Sequence, residues 1–200
     1  MATESDGASR AQDAAPGAAS KLKTRRQRGA SLVEFSLVLP ILFLVLVGIF
    51  EIGMAFKSYL TVAYLAREGA RLAAFTGTNP NADCTTVMSL AAQMGPQELA
   101  RLDRIEIFKA NAAGNPTPGF INTFRFTGAN HQNCAHWTAT TPWLSTSRQT
   151  DVSPSGTPPL DVIGVRIVVI HPWITQFPPF FGNLTVNEET IVRMEPEAFT

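Results

Sequence analysis

The chain has 200 residues, and its 16 basic and 16 acidic side chains cancel to a formal net charge of zero. That balance excludes a chain-wide positive field of the kind that holds nucleic acid. Less a membrane anchor and a tail, about 125 residues remain, enough for one small domain with its own core.

Charge is unevenly placed. Before Gly29 stand Arg10, Lys21, Lys23, Arg25, Arg26 and Arg28 against Glu4, Asp6 and Asp13. Residues Met1–Ser20 are small, polar and patternless and read as a disordered leader. The basic run that follows reads as a topology determinant for the adjacent apolar stretch rather than a nucleic-acid patch.

Between Ala30 and Phe50 the only ionisable residue is Glu34. As a helix, Ser31–Phe50 is about 30 Å long, the thickness of a bilayer's hydrocarbon core. The run is longer than the 7–15 apolar residues of a secretory signal, and no small-x-small cleavage site follows it, so an anchor that stays is expected. The positive-inside rule puts the N-terminus in the cytoplasm and everything after Phe56 outside. Pro40 removes one backbone hydrogen bond and is expected to kink the helix. Glu34 lies just inside the amino end, where a carboxylate can snorkel. A cut between Gly29 and Ala30 would leave a new α-amine four residues before Glu34, a neighbour on the helix surface.

From Ala55 to Phe75 only Gly69 opposes a helix, at about 1 kcal/mol relative to Ala. One helix of about 45 residues is therefore expected to leave the membrane. Ala63, Ala66, Ala70 and Ala73 form a seam of small side chains on one face, open to the chain's own domain or to another subunit. Glu68 and Arg71 can pair at i, i+3.

Thr76–Asn81 ends the helix with turn residues. Thr85–Met94 reads as a short amphipathic helix with Val87, Leu90, Ala91 and Met94 on one face, and Pro96 opens another carrying Leu99 and Leu102. Ile105–Phe108 reads as a strand, Asn111–Gly119 as a loop, and Phe120–Thr127 as a second strand with Phe120, Phe124 and Phe126 on one face. Gly128–Pro159 is a long Ser/Thr/Asn/Pro-rich stretch with Trp137 and Trp143, which read as pins to the core or as a surface-binding patch. Val162–Ile170 is the strongest strand, with Ile163, Val165, Ile167 and Val169 on one face. Pro172, Pro178 and Pro179 punctuate a turn holding Trp173 and Phe177. Leu184–Met194 alternates again, with Leu184, Val186, Val192 and Met194 inward, and is expected to pair antiparallel with the preceding strand.

Cys84 and Cys134 are an even pair placed outside the cytoplasm, which favours a disulfide. A metal site from His131, Cys134 and His136 would lack a nearby fourth ligand, so no metal is assigned. There is no HExxH, GxSxG, Walker or GxGxxG motif. No catalytic residue and no cofactor is assigned, and a hydrolase would need His136, His171 and an acid to converge.

The basic residues, Gly29, and Glu34-Phe35 before a long apolar run resemble the cleavage site of type IV pilin-like precursors. Val33-Glu34-Phe35-Ser36-Leu37-Val38-Leu39-Pro40, Gly48-Ile49-Phe50-Glu51-Ile52-Gly53 and Ala66-Arg67-Glu68-Gly69-Ala70-Arg71 narrow the resemblance to the TadE-like family, pseudopilins of the tight-adherence (Flp) pilus system. The resemblance is dense from Gly29 to Ala74 and thinner over Val165–Pro196. It implies processing after Gly29 by a prepilin peptidase, with Gly29, Ala30, Glu34 and Phe35 as the recognition stretch. It also implies partnership with other pilins or pseudopilins and the assembly machinery in a bacterial cell membrane. The expected organisation is a leader (1–29), a transmembrane and extended helix (30–76) and an extracytoplasmic α+β head (77–200) containing an antiparallel sheet. An unprocessed single-pass protein with a binding domain is the alternative.

Overall fold

The computed structural model describes residues 17–150, 159–173 and 182–194. Phe177, Pro178 and Pro179 lie outside the described residues, as do Met1–Pro16, Glu195 and Pro196. The architecture is α+β: one long apolar N-terminal helix, then short helices and a five-strand antiparallel sheet. The chain divides into two units, Met1–Phe50 and Glu51–Thr200.

Helix α1 spans Gly17–Phe75. It starts earlier than the patternless composition of Met1–Ser20 predicts. The stretch from Gly17 to Arg28 has no proline and is rich in Ala, Lys and Arg, all strong helix formers, so helix extends back through it. The helix also continues through Pro40.

In the second unit α1 is followed by α2 (Ala82–Gln93) and α3 (Pro96–Arg101). Pro96 sits in the first turn of α3, where its missing N–H is no loss. Five strands follow: β1 (Leu102–Ala110), β2 (Pro116–Phe126), β3 (Trp137–Thr140), β4 (Val162–His171) and β5 (Leu184–Arg193). The sheet order is β3-β2-β1-β4-β5, and every pair is antiparallel. Strand β2 is longer than expected and starts at Pro116, within the predicted loop. The turn before it is short because the Asn111 carboxamide oxygen accepts from the N–H groups of Ala113 and Asn115.

Alternation along the strands decides which face is buried. Ile105, Ile107, Ile163, Val165, Ile167 and Val169 are each fully buried and share a core with Leu65, Ala66, Ala70 and Ala73 of α1 and Val87, Leu90 and Ala91 of α2. Gly69 belongs to this contact. A Cβ there would lie 2.8 Å from Leu90 Cδ1 and 3.0 Å from Val165 Cγ1. The residue that weakens the helix thus lets it approach α2 and β4.

The opposite sheet face carries a connected set of ions. Asp103 pairs with Arg125 and Arg104, Arg104 with Glu106 at 2.6 Å, Glu106 with Arg166 at 2.9 Å, and Arg166 with Glu189 at 2.5 Å. The set crosses β2, β1, β4 and β5. Leu184, expected inward, is 37% exposed at the start of the edge strand β5, where α1 and β5 leave a groove.

The stretch after β2 is held down at two places. Cys84 of α2 is disulfide-bonded to Cys134, with Cα atoms 5.9 Å apart across a sequence separation of 50. Closing a loop of that length contributes about 4 kcal/mol in the chain-entropy model. Trp137 and Trp143 are both buried, at 7% and 2% exposure. They pin the connection to the core, so the patch on which a Trp-lined binding surface would depend is closed.

Candidate functional site

The first unit carries the stretch that the resemblance implies is recognised and cut. Gly29, Ala30, Glu34 and Phe35 lie on α1 and are solvent-exposed. A Cβ built at Gly29 would meet nothing within 4 Å among the described residues. A protease needs extended backbone at the bond it cuts, and Gly29 weakens the helix there by about 1 kcal/mol relative to Ala. Ala30 and Glu34 are one turn apart, about 6 Å along the axis. Hydrolysis at Gly29 would therefore set an ammonium beside that carboxylate.

Beyond Glu34 every side chain through Phe50 is exposed except at Val47 and Gly48, which are half-buried. Leu37 is 68% exposed and Ile49 68%. A helix that is apolar all round and has no protein cover is a membrane span in character. Among the described residues α1 is the one helix long and apolar enough to cross a bilayer. Burial begins at Glu51, which is 6% exposed.

The alanine seam divides. Ala66, Ala70 and Ala73 are fully buried in the head core, whereas Ala63 is half-buried. Glu68 accepts from Arg71 Nε at 3.2 Å and Nη2 at 2.9 Å, and this bond holds the Glu68 carboxyl below its usual range.

The other polar constellations lie in the head. Cys134 is spent in the disulfide, so the His131–Cys134–His136 reading loses its thiolate, and no group of three potential metal ligands occurs among the described residues. His136 Nδ1 accepts from the backbone N–H groups of Ala129 and Asn130, at 3.0 and 3.4 Å. His171 sits elsewhere, at the end of β4. Its Nδ1 lies 3.0 Å from Arg101 Nη1 and 3.3 Å from Ser58 Oγ. Burial first, then the Arg101 charge, lowers the His171 pKa, while the Glu51 carboxylate opposes them. Ser58 and His171 resemble part of a nucleophile–base pair. Both are buried, at 2% and 1% exposure, and a guanidinium occupies the nitrogen facing the hydroxyl. The contacts fasten α3 and β4 to α1.

One polar network has no signature in the sequence. The Asp83 carboxylate pairs with Arg148 and accepts from Asn122 Nδ2 at 2.7 Å. Asn122 also donates to the Trp143 carbonyl at 2.6 Å and accepts from the Trp143 N–H at 2.9 Å. The Arg148 guanidinium lies 4.6 Å from the Trp143 ring centroid. The partners are 39 and 65 residues from Asp83 in sequence, so no local pattern could have paired them.

Comparison with protein families places one match on this geometry. Residues 29–71 match the family model of TadE-like protein. The match opens at Gly29, covers the apolar run and ends at Arg71 of the Glu68–Arg71 pair, so most of the head lies beyond it. No curated protein matches the chain, and no solved structure does.

Proposed function

We propose that the chain is a membrane-anchored pseudopilin that takes part in assembling tight-adherence pili and is cut by a prepilin peptidase after Gly29. The observation that carries this reading is the TadE-like match beginning at Gly29, on an exposed helix with a lone carboxylate one turn further on. The protein is then a substrate for hydrolysis rather than an enzyme.

In this reading α1 crosses a bacterial cell membrane once, with the basic leader in the cytoplasm and the head outside. The Cys84–Cys134 disulfide supports an extracytoplasmic head, since such bonds persist in oxidising compartments. After the cut, the Ala30 ammonium and the Glu34 carboxylate offer a charge pair in the first helical turn, where the helix dipole also favours the acid. The partners are the peptidase, other pilins or pseudopilins, the assembly machinery and the bilayer.

The test is complementation of a strain lacking this chain with Glu34→Ala. Membrane insertion is expected to persist while pilus output falls. Normal pilus output from that variant would contradict the reading.

A further inference from the structure

In the head, α1, α3 and the end of β4 meet at one buried polar contact. His171 Nδ1 lies 3.0 Å from Arg101 Nη1 and 3.3 Å from Ser58 Oγ. A guanidinium has donors and no acceptor, so Nδ1 accepts from it and the ring proton sits on Nε2. The contact thus requires a neutral imidazole in one tautomer. An imidazolium would turn an N–H and a positive charge against the guanidinium.

Helix α3 depends on this contact more than the sheet does. It has six residues, and a helix below about 12 residues is marginal in water without tertiary support. Its apolar support is Leu99, which is only partly buried against the core. The Glu98 pair with Lys57 of α1 spans 3.9 Å and ends on a lysine side chain that is 64% exposed, where such pairs contribute little. Ile105 and Ile107 of β1 and Val165 of β4 are fully buried by contrast. Loss of the His171 contact therefore acts on α3 before it acts on the sheet.

Among the described residues, the charged groups on the elements around His171 are Glu51 and Lys57 of α1 and Glu98 and Arg101 of α3, while β5 places Leu184 opposite it. Burial and the Arg101 charge hold the imidazole neutral against the opposing pull of Glu51.

We propose that α3 is an acid-released latch, held to α1 and β4 through Arg101 while His171 is neutral and freed, with the sheet still folded, when His171 is protonated. Release takes Leu99 off the core and returns Glu98 and Arg101 to solvent. The device does not depend on the cut after Gly29. The folded pKa of His171 lies below 6.5, so the latch is fully held above that pH. Below it, toward the folded value, the open form takes up one proton, and its population relative to the closed form rises about tenfold per pH unit.

The test is amide hydrogen exchange of the isotope-labelled full chain in detergent micelles, from about pH 7.5 to about pH 5 and in low concentrations of urea. Protection factors remove the intrinsic pH dependence of exchange. The Leu99 N–H donates to the Gly95 carbonyl at 2.9 Å and the Leu102 N–H to the Leu99 carbonyl, so these two amides report on α3. Their protection should fall about tenfold per pH unit within that window. It should hardly change with urea, because a local opening exposes little surface. Ile105, Ile107 and Val165 should remain better protected and respond steeply to urea. His171→Asn, whose amide oxygen can replace Nδ1 and does not titrate, should flatten the pH profile at Leu99 and Leu102, with the sheet amides reporting that the variant is folded. Imidazole nitrogen shifts of the parent chain should show the Nε2–H tautomer at the upper pH, a readout that needs no variant. An Nδ1–H tautomer there would overturn the proposal. So would α3 amides unprotected at the upper pH, protection that does not change with pH or falls equally in His171→Asn, or an α3 opening with the urea dependence of the sheet.

Discussion

Replacing Asp83 by Ala should destabilise the head severely. The Arg148 side chain is fully buried, and the Asp83 carboxylate is its one ionic partner among the described residues, itself only 12% exposed. Among the described residues the buried Arg148 Nε and Nη1 atoms have no hydrogen-bond partner, so there Asp83 and the face of Trp143 carry the compensation for that charge. Removing one partner of a buried pair leaves the other uncompensated and costs about 3–5 kcal/mol. A small domain has about 5–15 kcal/mol in total, so Asp83→Ala sits near the limit of folding. Arg148→Met keeps an unbranched side chain over Trp143. It leaves Asp83 with Asn122 and some solvent, at about 1–3 kcal/mol. The double variant should be little worse than Arg148→Met alone, giving a coupling of at least about 2 kcal/mol. The assay is urea unfolding of the full chain in detergent with the disulfide oxidised. It is followed by tryptophan fluorescence, since Trp137, Trp143 and Trp173 all lie in the head. Asp83→Ala within about 0.5 kcal/mol of the parent, the range of an ordinary surface change, or strict additivity of the two substitutions, would refute the reasoning.

Gly164→Ala should cost about 1–3 kcal/mol by overpacking, because its Cβ would run into the fully buried Phe108 ring. Phe108→Leu should restore part of that loss, and equal damage in the single and double variants would contradict the contact. His171 sets a pH dependence. Its folded pKa lies below the ordinary 6.5, so the unfolded chain binds more protons in that window and stability rises with pH. The contribution is fully present above 6.5 and is lost as pH falls below it toward the folded value. His171→Gln should flatten the urea midpoint between about pH 7.5 and pH 5, and an unchanged slope would show that the cluster of Glu51, Ser58 and Arg101 does not hold a neutral imidazole.

The features legible in the sequence were those with local periodicity or composition behind them. The apolar run determines its helix, and the alternation of Ile163 to Val169 and the stripe Val87–Leu90–Ala91–Met94 determine their burial, and the structure follows them. Features that depend on distant partners were not legible. Asp83, Asn122 and Arg148 look like solvent-facing polar residues until the fold brings α2, β2 and the stretch after β3 together. Gly69 looked like a defect in a helix, because its reason lies in Leu90 and Val165. Leu184 kept the alternation of a buried strand but ended at a sheet edge beside a groove. Strand β3 was hidden in a polar stretch because only four residues pair, and Trp137 was its one apolar signal. The one-turn spacing of Gly29, Ala30 and Glu34 on α1 was legible because it is purely local to one helix. The groove was not, because its walls come from segments more than a hundred residues apart.

The central claim concerns the bond between Gly29 and Ala30. The direct measurement is intact mass with N-terminal sequencing of the protein recovered from its native membrane. The account predicts a chain beginning at Ala30. A chain that still carries the Lys21–Arg28 segment would contradict it, and would leave Gly29 and Glu34 as an ordinary membrane boundary.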